Sequence, residues 1–237
     1  MARLVAHRHG RRWHRRRRRL TPGRGTKALG GVAIAATVAT AAVEWARVWR
    51  RGSAPLPHET DHLVAAGATA TRETLAVLRE GYRASPEREN VVFNLLAAFA
   101  VTFGLARGTT FVIRTSRGSG LLRDVKVGDR HIHHFVPGFI MAFLAGGVSI
   151  ATSHEALDRW LAVPFGAGVA LVLDEGALLL ELDDVYWSEE GVLSLQLSFA
   201  TIALLAALAL GVRLLRRGEP YVLPDTAAAS GTSSMPG

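Results

Sequence analysis

The stretch FVPGFIMAFLAGGVSIAT, Phe135–Thr152, decides the fold class, and VLSLQLSFATIALLAALALGV at residues 192–212 supports the same assignment. The first has 18 residues, the second has 21, and neither contains Asp, Glu, Lys or Arg. A helix needs about 20 predominantly apolar residues to cross the hydrocarbon core of a bilayer. Both stretches therefore predict transmembrane helices, and they exclude a soluble enzyme.

Further apolar runs extend this pattern on both sides. They lie in residues 28–50, at Val91–Ala106 and at Leu161–Leu182. Together with the two uncharged stretches, they predict an all-α, polytopic membrane bundle of about five transmembrane helices. The first helix occupies residues 28–50, and a membrane core of four helices occupies residues 91–218.

The remaining segments are more polar. Residues 51–90 place apolar residues at helical spacing among charges, which predicts an amphipathic or interfacial helix. Thr109–Thr115 and Leu121–Val127 resemble short strands separated by a glycine-rich turn, so we expect a short β-hairpin or extended segment at the interface. Residues 219–237 predict a disordered tail.

Residues 1–27 form a basic arm that contains 11 of the 28 Lys and Arg residues and no acidic residue. Self-repulsion predicts that this arm is disordered. Because a hydrophobic run follows directly, we interpret it as a flank that helps to orient the first helix. Contact with anionic headgroups among the membrane lipids fits the same charges, and nucleic acid is the less favoured partner.

The chain has no cysteine, which excludes disulfides, Cys-ligated metals and thiol catalysis. Any metal must therefore bind to His, Asp or Glu. His131, His133 and His134 lie within four residues at the start of the Phe135–Thr152 helix. Three imidazoles at this spacing suit a zinc or iron site, although interfacial histidines can also simply extend to lipid headgroups.

A second cluster consists of acidic residues in the Leu161–Leu182 helix. Within this helix, Asp174 and Glu175 follow 13 uncharged residues, and Glu181 comes six residues after Glu175. A carboxylate inside a bilayer must be paired, protonated or bound to a cation. The two helices form an antiparallel hairpin, so the histidines and Glu181 should lie at the same membrane face. Asp174 should lie about 10 Å deeper.

Three motifs resemble those of a group of prokaryotic multi-pass integral membrane proteins. They are HIHHF at His131–Phe135, LDE at Leu173–Glu175 and DDVYWSEEG at Asp183–Gly191, and the resemblance covers residues 123–195. The group has no established activity. The resemblance therefore implies a membrane protein of the prokaryotic cytoplasmic membrane and no particular reaction.

Three hypotheses for function remain open. The first is a metal-dependent enzyme that acts on a lipid-linked or interfacial substrate. Its zinc, iron or manganese ligands would be His131, His133, His134 and Asp174, with Glu175 or Glu181 as the general base. The second is a non-catalytic scaffold or complex subunit, in which the same residues form a structural polar network and Asp174 bonds to His134 or Asn94. The third is a small proton-coupled transporter.

Overall fold

The computed structural model describes residues 24–115, 126–127, 130–131, 134–152, 154–179 and 189–223. Helices make up nearly all of this described part. They are α1 (Arg24–Arg51), α2 (Leu63–Arg83), α3 (Glu87–Thr115), α4 (Phe135–Thr152), α5 (Glu155–Leu179) and α6 (Glu189–Val222). Two short strands, β1 (Lys126–Val127) and β2 (Arg130–His131), pair antiparallel between α3 and α4.

Five of these helices, α1, α3, α4, α5 and α6, are long and apolar enough to cross a membrane. The predicted all-α fold with about five transmembrane helices is therefore confirmed, and the chain has the character of an integral membrane protein. α2 is the exception, because charged residues interrupt its apolar positions. Large apolar side chains such as Ile34, Phe143 and Ile202 are exposed on the outer surface of the bundle, as lipid contact requires.

α3, α5 and α6 form the centre of the bundle. Phe99 and Phe103 of α3 pack with Ala170 of α5 and Ala203 of α6 in one buried cluster. α4 packs against α5 on the other side. Small residues allow these helices to approach closely, as is usual in membrane bundles.

α2 packs against α1 and α6 through a face of small residues that includes Ala66, Ala70 and Gly81. At its crossing with α6, a Cβ on Gly81 would overlap the backbone of Leu214, and a Cβ on Gly218 would overlap the backbone of Val77. These glycines therefore permit backbone contact between the two helices. α2 is thus an integral part of the bundle, joined to α6 rather than resting on the lipid surface alone.

The side-chain contacts divide the bundle into two ends. The carboxyl ends of α1, α4 and α6 meet the amino ends of α3 and α5 at one end, which we call the arginine end. Its ion pairs join Glu44, Glu89 and Glu219 to Arg47, Arg51, Arg213, Arg216 and Arg217. At the opposite end, which we call the histidine end, the side chains that meet are Arg107, His134, Asp174, Glu175 and Gln196.

The arginine end holds α1 to α6 through two buried glutamates. Arg216 of α6 reaches Glu44 of α1 with two nitrogens, at 3.1 and 2.6 Å. Glu219 of α6 binds Arg47 at 3.0 Å and Arg51 at 2.5 Å. This interlocked arrangement fixes the axial position of α1 relative to α6, because sliding either helix would separate several pairs at once.

Two asparagines in α3 also join helices near the arginine end. Asn94 donates to the hydroxyl of Tyr82 and to the carbonyl of Arg159 in α5, both at 2.8 Å. Asn90 donates to the Tyr82 carbonyl at 2.9 Å. Asn94 does not reach Asp174, which lies at the other end of the bundle, so that part of the network hypothesis is wrong.

Three boundaries differ from those predicted. α1 begins at Arg24, inside the arm of residues 1–27 that was predicted to be disordered. Thr109–Thr115 is not a strand but the last part of α3. Its threonines and other β-branched residues favour strands only weakly, whereas extending an existing helix adds one hydrogen bond per residue. α6 continues through residues 219–222, which the sequence analysis assigned to the tail, and Glu219 is buried there. The basic arm up to residue 23 and the tail from residue 224 lie outside the described residues.

Candidate functional site at the histidine end

His134 is the centre of the candidate site. It lies in the turn before α4, and its carbonyl accepts the N–H of Gly138 in the first turn of that helix. Its Nε2 is 3.1 Å from Oδ2 of Asp174, and its Nδ1 is 3.0 Å from Oε1 of Glu175. One imidazole thus contacts two consecutive carboxylates of α5 through both ring nitrogens.

Glu175 also caps α4. Its Oε2 accepts the backbone N–H of Phe135, the first residue of the helix, at 2.6 Å. The amino end of a helix has unpaired N–H groups and a partial positive charge, so a carboxylate at this position is favourable. Glu175 therefore fixes the start of α4 against α5 as well as contacting His134.

Arg107 and Gln196 extend the site to α3 and α6. The Nε of Arg107 forms an ion pair with Oδ1 of Asp174 at 2.5 Å, and its guanidinium also donates to Oε1 of Gln196 at 2.5 Å. Gln196 in turn donates to the carbonyl of Leu173 at 2.5 Å. The guanidinium lies 5.4 Å from the ring centre of Phe103, next to the apolar cluster. All four helices of the membrane core are therefore connected by polar contacts at this end.

Burial divides the cluster into an inner and an outer part. The side chains of Asp174 and Glu175 are 6% and 9% exposed, whereas that of His134 is 42% exposed. The imidazole therefore separates two buried carboxylates from the surroundings of the bundle. Arg107 pairs with Asp174, and His134 contacts both carboxylates.

The structure brings together three of the six predicted site residues, His134, Asp174 and Glu175. His131 contributes its backbone to β2, and its side chain, like all of His133 and Glu181, lies outside the described residues. The roles assigned to those three side chains remain predictions.

The predicted difference in depth is wrong for His134, which contacts Asp174 directly. The reason is the crossing between α4 and α5, where Gly138 and Gly168 bring the two backbones together. His134 lies four residues before Gly138, and Asp174 lies six residues after Gly168. Since the helices are antiparallel, both residues reach nearly the same level.

Arg107 and Gln196 were not predicted as site residues. Arg107 follows the apolar run Val91–Ala106, and Gln196 is a polar residue inside the uncharged stretch at residues 192–212. The available signal was the requirement of a buried carboxylate for a cationic partner. Arg107 met that requirement, but its polar surroundings in the sequence suggested a surface position.

Comparisons with protein-family models, with curated protein sequences and with solved structures find no match to this chain.

Proposed function

We propose that the protein is a non-catalytic helical membrane protein, either a scaffold or a subunit of a larger membrane complex, in which the histidine end is a structural polar network. One observation carries this proposal: both ring nitrogens of His134 contact carboxylate oxygens directly, at 3.1 and 3.0 Å. Direct imidazole–carboxylate contact is the arrangement expected of residues that satisfy each other.

The connections of the cluster support the same proposal. Arg107, Asp174 and Gln196 link α3, α5 and α6, while His134 and Glu175 add the start of α4. A polar network inside a membrane bundle selects one helix arrangement, because any other arrangement leaves charged groups unpaired in lipid. The network would give the bundle a fixed shape on which a partner protein could assemble.

The alternative is a metal-dependent enzyme with His131, His133, His134 and Asp174 as ligands and Glu175 or Glu181 as the base. Zinc ligands place their donor atoms about 2.0–2.2 Å from one common point. Each ring nitrogen of His134 already faces a carboxylate oxygen, so metal binding would require one of these contacts to break. Among the described residues, no group of three or more His, Asp or Glu residues is placed to hold a metal ion.

We place the protein in the cytoplasmic membrane of a prokaryote, as the motif resemblance implies. Residues 1–27 would then contact anionic headgroups at the membrane surface, where each basic residue contributes about 1 kcal/mol.

The network role is tested by Glu175→Gln in the detergent-purified protein. We expect the free energy of unfolding to fall by about 1–2 kcal/mol, because the charged cap of α4 and the contact with His134 are both weakened. The matched control is Glu155→Gln, at an exposed position in the first turn of the same helix, which should lower the free energy of unfolding by only about 0.3 kcal/mol. If Glu175→Gln is as stable as wild type, the structural role is wrong, and the catalytic assignment of Glu175 is favoured.

Elemental analysis separates the two candidate functions directly. Wild type is purified without chelators and compared with the His133→Ala, His134→Ala double variant at matched folding. The network proposal predicts no bound transition metal in either protein. About one equivalent of zinc, iron or manganese in wild type, lost in the double variant, would overturn the proposal in favour of a metal centre.

A further inference from the structure

A recess of about 240 Å³ opens between α1, α3 and α6, and Leu78 of α2 also lines it. Thr40 and Ala41 of α1, Phe93 of α3, and Leu208, Gly211 and Leu215 of α6 contribute to its wall. The accessible surface inside it is almost entirely apolar. The recess exists because α6 presents small residues here: the nearest neighbour of a Cβ on Gly211 would be the Phe93 ring, at 3.5 Å.

The position of the recess in the bundle indicates what fills it. It follows α6 from Ala207 to Leu215, a length of about 12 Å at 1.5 Å per residue. It begins beside the ion pairs of the arginine end and runs toward the middle of a predicted membrane span. An apolar recess at this depth faces the hydrocarbon part of a bilayer, so its occupant is an acyl chain.

The charged groups at the rim of the recess favour a negatively charged lipid headgroup. Arg216 binds Glu44, which lines the recess, yet the Arg216 side chain remains 48% exposed. Arg213 lies one turn away on α6 and is 65% exposed, with one contact to Glu89 at 3.2 Å. Arg216 therefore lies beside the recess through its contact with Glu44, and Arg213 directly follows Val212, which lines the recess.

The whole arginine end has a surplus of positive charge. The last turns of α1 and α6 contain six arginines, at positions 47, 50, 51, 213, 216 and 217. The ion pairs that bind them involve three glutamates, Glu44, Glu89 and Glu219. The amino ends of α3 and α5, which belong to the same end, add Arg88 and Arg159 but also Glu87, Glu155 and Asp158. Eight positive and six negative charges leave a surplus of two, which favours an anionic over a zwitterionic headgroup.

We propose that this recess is a binding site for an anionic phospholipid of the bilayer, with one acyl chain between α1, α3 and α6 and the headgroup phosphate against Arg213 and Arg216. Guanidinium groups bind phosphate oxygens through paired, charge-assisted hydrogen bonds. The lipid would fill the gap between α1 and the rest of the bundle, so that α1 is held by lipid as well as by the ion pairs of Glu44 and Glu219.

The first test measures lipid selectivity in the full chain. The detergent-purified protein is titrated with phosphatidylglycerol or with phosphatidylcholine of the same acyl composition, and the midpoint of thermal unfolding is recorded. Phosphatidylglycerol should raise the midpoint at lower concentration than phosphatidylcholine does. Equal effects of the two lipids would overturn the proposed headgroup site.

Two variants separate the chain site from the headgroup site. Gly211→Leu should fill the recess and abolish the stabilisation by phosphatidylglycerol, whereas Gly147→Leu, where an added Cβ meets nothing within 4 Å, should behave as wild type. Arg213→Gln should weaken the apparent affinity for phosphatidylglycerol about fivefold, the loss expected for one basic contact. Arg83→Gln is its control, because Arg83 lies outside the set of arginines in the last turns of α1 and α6 and pairs with Glu80 of its own helix at 2.8 Å. Wild-type lipid response in both Gly211→Leu and Arg213→Gln would refute the site.

A labelling experiment tests the site without any substitution. The wild-type protein is reconstituted in bilayers of equal parts phosphatidylglycerol and phosphatidylcholine, with a trace of phosphatidylglycerol that has a photoreactive group in one acyl chain. After irradiation, peptide mapping should find the label concentrated at residues 40–44 and 207–215. Labelling spread evenly over the exposed apolar residues of all five candidate spans would refute the proposal.

Discussion

The two ends of the bundle both bury carboxylates, but they pair them with different cations. At the arginine end, Glu44 and Glu219 are contacted by guanidinium groups alone. At the histidine end, the guanidinium of Arg107 contacts Asp174, and the imidazole of His134 contacts both Asp174 and Glu175. Arginine keeps its charge at every physiological pH, whereas imidazole is the side chain that gains or loses a proton in that range.

This difference indicates different roles for the two ends. The arginine end has permanent charges and a surplus of cations, which suits a fixed join between helices and contact with an anionic membrane surface. At the histidine end, the described contacts join both buried carboxylates to one imidazole. The geometry of the bundle at the histidine end should therefore depend most on Asp174, Glu175 and their few partners.

The largest effect on stability is expected from adding a methyl group at the close crossing of α2 and α6, near the arginine end. In Gly218→Ala, the new Cβ would overlap the backbone of Val77 and Gly81, which cannot move aside as a flexible side chain can. We expect the free energy of unfolding to fall by about 3 kcal/mol. Unfolding in mixed micelles, followed by circular dichroism, measures the change.

Gly211→Ala is the matched control for that experiment, because it makes the same substitution in the same helix. Its Cβ would meet the Phe93 ring at 3.5 Å, an ordinary contact distance. Stability should stay the same or rise slightly, since alanine favours a helix over glycine. Equal destabilisation by the two substitutions would show that the α2–α6 crossing is not a close contact.

The next largest effect is the coupling energy between a buried carboxylate and its arginine, which can be measured at each end of the bundle. A double-mutant cycle of Arg107→Gln with Asp174→Asn should give a coupling energy of about 1.5 kcal/mol, because Asp174 is buried and Arg107 also holds Gln196.

The parallel cycle of Arg216→Gln with Glu44→Gln provides the comparison at the arginine end. It should give about half as much, because Arg216 is more exposed than Arg107 and can instead reach water or lipid headgroups. Coupling energies of equal size would remove the proposed distinction between the two ends.

The sequence predicted the spans well because a bilayer makes composition decisive. Phe135–Thr152 matches α4 at both ends, since charged or polar residues border it on each side. The same argument failed for Thr109–Thr115, where polar residues outside the apolar run continue a helix that has already begun. Composition indicates what lies in the membrane, but it does not determine where a helix stops outside it.

The candidate site was predicted only in part, for a related reason. Asp174 needs a partner because burying its charge is costly, and the antiparallel hairpin indicates His134 as one such partner. Arg107 and Gln196 belong to helices whose contact with α5 depends on tertiary packing, which one sequence does not specify. The level of His134 depends in the same way on the α4–α5 crossing, where two glycines bring the backbones together.

The smallest effect on the free energy of unfolding is expected from Arg213→Gln. This variant tests whether the ion pairs at the arginine end contribute equally to stability. Arg213 is 65% exposed, and its partner Glu89 also binds Arg217 at 2.9 Å. Removing Arg213 therefore leaves Glu89 paired, and surface pairs of this kind contribute at most about 0.5 kcal/mol. Arg217→Gln should cost more, because it removes the less exposed cation and its hydrogen bond to Ser85 as well.

Unfolding of both variants in lipid-free detergent measures this difference without any contribution from bound phospholipid. A loss in Arg213→Gln as large as that in Arg217→Gln would mean that Glu89 needs both cations. Arg213 would then be held by Glu89 and would not be available to the phosphate of an anionic lipid.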